Sequence, residues 1–279
     1  MEQQNQSMLS FGFKLKTNYM AVITLTSDWA INDYYIGLVK GMLLSACPQA
    51  NIIDLAHGIT SFNISQAAFI IRNSYHSFPE NTIHIICIKS EIAENREPLL
   101  IKYQGYYFIG TDNGIFGLIL NSDLPKEVYR IDGTFTEQEQ IFPEYYIFAK
   151  TAAAIANNTQ IEKIATKKES FYKHVPLRAT IDESEITGSV IYIDSYKNAI
   201  TNISRRLIQR FGNTRNFEIF IQSHHYKLTK INHSYCETTS GELLVLFNSA
   251  EVLEIAINNG NAADLLNLEV GSIIRIKFN

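Results

Sequence analysis

From Ala21 onward, short apolar runs alternate with longer stretches in which apolar residues recur every three or four positions. AVITLT (21–26), NIIDLA (51–56) and TIHIICI (82–88) are too short for helices and rich in β-branched residues, so they predict strands. Between them, YYIGLVKGMLLSAC (34–47) and NISQAAFIIRNSYHSF (63–78) carry the helical period, the second with Asn63 or Ser65 placed to cap it. A β-α-β-α-β order implies a largely parallel sheet covered by helices, because parallel neighbours need a crossover connection. Residues 99–120 read as hairpin-rich, with turn signals at Gln104-Gly105 and Asp112-Asn113-Gly114, and 145–158 predict a closing helix.

The periodicity fades between Asn157 and Glu185, where the chain turns polar and lysine-rich. Beyond it, short alternating runs within 187–196, 216–222, 224–231, 243–249, 251–257 and 271–278 predict a small β-barrel or sandwich. The expected organisation is an α/β domain over residues 20–165, a linker over 166–184 and a β domain over 185–279.

Composition narrows the function classes. With 46% hydrophobic and 19% charged residues the chain is ordinary globular protein, and a net charge of -4 argues against a general nucleic-acid or anionic-membrane binder. There is no run of 18 apolar residues, and MEQQNQSMLSFGFKLKTNY lacks the basic-then-apolar order of a secretory leader, which points to the cytoplasm. Cys47, Cys87 and Cys236 are odd in number and widely spaced, so they are expected as small buried hydrophobes rather than disulfides or metal ligands. His224 and His225, adjacent on an expected strand, face opposite sides and cannot easily share a metal.

Candidate chemistry gathers at strand ends. The third strand runs straight into Lys89, Ser90, Glu91, Glu94 and Arg96, and in open α/β sheets ligands bind in the crevice beyond the carboxyl ends of the strands. A solvated loop with a few ion pairs is the plainer reading. Asp28 and Asp33 lie between a strand and a helix, where carboxylates accept hydrogen bonds from ribose hydroxyls or simply cap the helix. Farther on, Asp194, Asn198, Thr201 and Asn202 punctuate IDSYKNAITNI, and Asn248-Ser249 precedes an NNGNAADLL turn into a helix.

In this order and spacing, and together with NIIDLAHGI, FPENTIHI and YYFIGTDNGIFG, these segments resemble the S-adenosylmethionine (SAM) hydroxide adenosyltransferases. Those adenosine-forming SAM hydrolases are related to the fluorinases and chlorinases, and the resemblance runs from Ala21 to Phe278. It implies a Rossmann-like amino-terminal domain with a mainly parallel sheet, a carboxy-terminal β-barrel, and a homotrimer whose sites lie between one subunit's first domain and its neighbour's second. It also implies SAM as substrate or ligand, with no cofactor. By position, Asp28, with Asp33 beside it, matches the ribose-binding element, Asp194 the carboxylate on the methionine amino group, Asn198 the adenine contact and Ser249 the group near the methionine carboxylate.

The family reaction is attack of water or hydroxide on the ribose C5′, giving adenosine and L-methionine. In the hydrolytic branch an aspartate, an arginine and a histidine prepare the oxygen. Here Lys89 stands in the aspartate's place, Ser90 in that of a proline, and Glu91 and Ala93 in those of glycines. Arg96 matches the arginine, whereas Pro143, followed by Glu144, Tyr145 and Tyr146, replaces the histidine. The halogenating branch's tyrosine is also absent at position 89.

Three readings follow. The first is hydrolysis by an altered set built on Arg96, Lys89 and Glu144, with Glu91, Glu94 or Tyr145 assisting. The second is a catalytically inactive protein that binds SAM or another adenosyl compound. In the third, a bridge from Lys89 to a glutamate fills the cleft.

Overall fold

Two sheets, each with its own apolar core, organise the chain in a computed structural model that describes residues 20–120, 125, 127–212, 216–222 and 226–279. His224 and His225 lie outside the described residues. The first sheet is built from β1 (Val22–Ser27), β2 (Asn51–Ala56), β3 (Ile83–Cys87), β4 (Pro98–Tyr103), β5 (Tyr106–Thr111), β6 (Glu127–Ile131) and β7 (Ala165–Lys167). Interspersed are α1 (Tyr34–Ala46), α2 (Ile64–Ser74), α3 (Ile115–Leu120), α4 (Glu137–Ile141) and α5 (Ala149–Ala156). The strand order is β2-β1-β3-β5-β4-β6-β7, with the first four strands mutually parallel and the remainder antiparallel.

The burial pattern explains that order. β3 is buried at every position and β1 at all but its first, as strands covered on both faces must be, so they take the centre. β2 exposes Asn51, Ile53 and Asp54 and forms the edge. Gln104 (φ 48°) and Gly105 (φ 85°) make the two-residue turn of the β4–β5 hairpin, since both central positions need the left-handed region.

The hairpin reading of 99–120 fails after its second turn. Gly114 (φ 98°) and an Asn113 side chain that accepts from the Ile115 amide start α3 instead, and all six of its residues are buried. A short, wholly apolar run cannot be assigned to strand or helix by periodicity. The closing helix also differs from the expectation, because its first turn, Glu144–Phe148, is a π-helix that leads into α5. Such turns recur at functional sites.

The second sheet comprises β8 (Thr180–Ile181), β9 (Glu185–Ile193), β10 (Ala199–Ser204), β11 (Phe217–Ile221), β12 (Lys227–Leu228), β13 (Leu243–Phe247), β14 (Val252–Ile257) and β15 (Ile273–Phe278). Helices α6 (Arg205–Gly212) and α7 (Ala262–Leu265) pack beside it. The antiparallel order β12-β11-β15-β9-β10-β14-β13 curls into a nearly closed barrel, with β8 against β9 and an isolated Asn232–Leu246 bridge beside β13. Ile186, Val190, Ile255 and Ile274 fill it. Among the described residues, no helix is long and apolar enough to cross a membrane.

Residues 168–179 pass between the sheets without helix or strand, yet they are tied to the first sheet. Lys168 Nζ lies 2.6 Å from Glu97 and 3.4 Å from Asp112, whose other oxygen accepts from the Tyr172 amide at 2.8 Å. The two units also meet where Phe69 of α2 stacks on Tyr192 of β9, with ring centroids 4.9 Å apart.

Gly117 of α3 lets the passing segment come close, since a Cβ there would sit 2.8 Å from the His174 carbonyl oxygen and 3.0 Å from Lys173 Cα. Gly117→Ala is therefore expected to cost about 1–3 kcal/mol as backbone moves aside. Thermal unfolding should show a midpoint lowered by roughly 2–10 °C.

Candidate active site

β1 and β3 deliver their carboxyl ends side by side, and the first group of candidate residues sits there. Asp28, half-buried just past β1, accepts from the Phe62 amide at 2.8 Å, with Phe62 held in the left-handed region at φ 63°. Burial pushes the Asp28 carboxyl up, and the charge of Glu91 adds to the rise. Residues 57–62 are laced to the end of β1. Ser27 Oγ is 2.6 Å from His57 Nδ1, His57 Nε2 is 3.0 Å from Asp54, Lys40 is 2.6 Å from Asp54, and the Gly58 amide donates to the Trp29 carbonyl at 2.8 Å. Asp33 is exposed and accepts from the Ala30 amide at 2.8 Å, so it closes the turn before α1 without capping the helix.

Lys89 follows β3 in the left-handed region (φ 47°) and is exposed. Its carbonyl accepts from the Asn113 side chain at 3.0 Å, while its ammonium makes no ion pair among the described residues. The Lys89–glutamate bridge of the third reading is therefore not formed. Glu91 pairs instead with Arg96, at 3.5 Å and partly in solvent.

Ser90 and Glu144 are the buried members of the group. The Ser90 hydroxyl donates to Glu144 Oε1, and its carbonyl accepts from Thr111 Oγ1 at 2.5 Å. Glu144 is only 5% exposed, and its Oε2 has no hydrogen-bond partner among the described residues. Burial raises its carboxyl to about 7, opposed by the Ser90 hydrogen bond and reinforced by the charges of Asp28 and Glu91. Pro143 starts the π-helical turn with helical dihedrals already set, Glu144 follows, and Ile147 and Phe148 anchor the turn in the core. Beside this group, Trp29, Tyr35, Phe142 and Tyr145 form an aromatic wall with successive centroids 5.6, 5.5 and 5.8 Å apart.

The second group lies on the barrel, in a cleft of about 500 Å³ that also touches Phe69 and Asn73 of α2. Asp194 and Ser249 both line it. Asp194 accepts from the Tyr196 and Asn198 amides at 2.9 and 2.8 Å and from the Asn198 side chain at 3.2 Å, so the buried Asn198 fixes that carboxylate from behind. Glu254, also on the cleft wall, is buried and accepts from Tyr235 at 2.5 Å and Asn248 at 3.1 Å. Burial and that carboxylate push the Tyr235 hydroxyl well up.

Each group is thus assembled locally. No hydrogen bond, ion pair or electrostatic interaction among the described residues joins Asp28 or Glu144 to Asp194 or Ser249. Sequence reasoning places Ser90 in the candidate loop without giving it a role, and it passes over Glu254. The sequence carries a signal for one of them: Glu254 is a charge inside the apolar run VLEIAI, whereas Ser90, three residues past the end of β3, sits among charged neighbours.

Models of the SAM hydroxide adenosyltransferase N-terminal and C-terminal domains match residues 23–165 and 188–275. The chain belongs to the SAM hydroxide adenosyltransferase family. Among similar proteins is one from Methanocaldococcus jannaschii named (R)-S-adenosyl-L-methionine hydrolase, 28% identical over 275 residues that cover 96% of this chain and 100% of the relative. A fluorinase of Actinopolyspora mzabensis is 21% identical over 288 residues, covering 91% of this chain and 96% of that one. A crystal structure of an uncharacterized conserved protein from Thermotoga maritima shares the fold, with a TM-score of 0.80 and 23% identity across 92% of this chain and 99% of that one.

Glu144 makes a thermodynamic test of this adenosyltransferase-family site possible. A carboxyl whose folded value is raised to about 7 contributes stability that is fully present below its ordinary value of 4.5 and lost as pH rises through about 7. Glu144→Gln removes the burdened charge. The variant should therefore melt roughly 3–8 °C above the parent near pH 8, with the gap closing near pH 4.5; a gap that is independent of pH contradicts the assignment.

Proposed function

We propose that this protein hydrolyses SAM to adenosine and L-methionine, and that its catalytic set departs from the family's hydrolytic set at Lys89 and Pro143. The observation that carries this reading is a carboxyl, that of Glu144, buried at the carboxyl ends of β1 and β3 with one oxygen free, within the electrostatic reach of Asp28. Asp28 accepts from the ribose hydroxyls, with Asp33 at the mouth of the same turn. Asp194 receives the methionine ammonium, Ser249 lies by the methionine carboxylate, and Asn198 reads adenine while holding Asp194.

The chemistry is economical. The sulfonium leaves with the C5′–S electron pair, so the protein has mainly to place an oxygen in line and take up its proton. Proline offers no proton site, and the exposed Lys89 and the Glu91-paired Arg96 serve as a cationic rim that draws hydroxide and balances the carboxylates. No cofactor is needed. The same two replacements also favour a second reading, SAM binding without turnover, whose signature is saturable binding with no adenosine.

That Asp28 and Glu144 share no hydrogen bond, ion pair or charge interaction with Asp194 or Ser249 within one chain supports sites shared between subunits of a homotrimer, Asp28 from one copy facing Asp194 and Ser249 from the next. Asp28→Asn and Asp194→Asn should each lower adenosine formation about 100-fold or more. Mixing the two inactive variants and allowing subunits to exchange should restore part of the activity. Two variants that stay inactive after verified exchange would place both aspartates in one subunit's site.

A further inference from the structure

Ser90 and Glu144 form a two-residue unit that the family's aspartate and histidine do not supply, and each of its parts is visible. The carboxyl is buried, one oxygen is engaged by the Ser90 hydroxyl, and the other has no partner among the described residues. A buried acceptor left without a partner costs about 1–3 kcal/mol, which a fold tolerates where that acceptor has a task. Ser90 is itself fixed, through its carbonyl by Thr111 and through the neighbouring carbonyls of Ile88 and Lys89 by Asn113. The unit therefore presents a single carboxylate oxygen in a defined direction.

We infer that Glu144, positioned by Ser90, is the general base of the hydrolytic reaction, its Oε2 taking the proton of the attacking water. This rests on the hydrolase reading above. In the step, the water oxygen forms a bond to C5′ as the C5′–S bond breaks, and the sulfur keeps that electron pair as the neutral thioether of methionine. One water proton passes to Glu144 and later to solvent, while the other stays on the 5′-hydroxyl of adenosine. Arg96, partly exposed and paired with Glu91, has no part in this proton transfer.

The groups facing Glu144 decide how its ionisation reports on the reaction. They are Asp28 after β1, Cys87 on β3, Ser90 and Glu91 in the loop that follows, and Tyr35 on α1. Cys87 and Tyr35 are both pushed up from values already above 7, so neither takes on charge near pH 7, where the Glu144 carboxyl titrates. Ser90 donates to the carboxylate and favours its charged form. Its removal should move the titration upward.

The test follows adenosine release from SAM between about pH 5.5 and 8.5 for the parent, Glu144→Gln, Glu144→Asp and Ser90→Ala, with calorimetric titration of S-adenosylhomocysteine as an unreactive probe. The parent rate should rise with pH through one ionisation near 7. Glu144→Gln should lose about 10²- to 10⁴-fold in kcat while binding the probe within about threefold of the parent, and Glu144→Asp should recover part of the loss. Ser90→Ala should keep activity at high pH with its midpoint displaced upward.

Turnover by Glu144→Gln equal to the parent's, a flat parent profile, or a loss in Glu144→Gln that falls entirely on probe binding would each overturn the base assignment and leave hydrolysis standing. A parent that binds the probe but forms no adenosine at any pH overturns the hydrolase reading itself. Should Glu144→Gln not fold, the parent profile and the Ser90→Ala displacement decide the matter alone.

Discussion

A hydrogen bond from the Ser90 hydroxyl to the Glu144 carboxyl, made where water is excluded, joins the two segments on which the candidate site depends. One comes off the end of β3 and the other opens the π-helical turn before α5, and they are 54 residues apart in the chain. Each is held independently of the other. Asn113 and Thr111 fix the first from the end of β5, and Ile147 and Phe148 root the second in the core shared by α1, β1 and β3. An ionisable group placed between two rigid elements cannot relax towards solvent, which is why burial, more than any neighbouring charge, sets its proton affinity.

The same constraint runs through the rest of the molecule. Beyond the parallel strands three acidic side chains, Asp28, Glu91 and Glu144, lie within electrostatic reach of one another beside an aromatic wall. The barrel offers a polar cleft whose Asp194 and Glu254 are held by their own hydrogen-bond partners before any ligand arrives. Preorganisation of this kind lowers the ordering cost of binding. Residues 168–179, pinned by Lys168, Tyr172 and the close pass over Gly117, tie the chain leading into the barrel to the first sheet.

Much of this was legible in the sequence, and the failures have physical causes. The parallel strands announced themselves because β1 and β3 are doubly covered and therefore continuously apolar, and the second domain because its short β-like runs, of which β15 alternates buried with more exposed positions, follow one another without helix-length stretches between them. Helix α3 was hidden, since six buried apolar residues look alike as strand or helix. The π turn at Glu144 leaves no periodicity of its own over five residues. Among the candidate residues, Asp28 is marked in the sequence by its place between a strand and a helix, whereas Asp194 takes its role only from the family resemblance. Lys89 could be placed at a strand end but not paired, because a left-handed backbone turns such a residue in a direction that composition does not encode. Ser90 could be placed in the candidate loop but given no role, because its partner Glu144 lies far away in sequence.

The most direct test of the central claim is incubation of the purified protein with SAM at about pH 8, above the Glu144 ionisation, with adenosine and methionine quantified against a protein-free control. Equimolar adenosine and methionine, accumulating over many turnovers per subunit, is the expected result. Saturable binding of SAM with no product above the control would contradict it and identify a binding protein built on the adenosyltransferase fold.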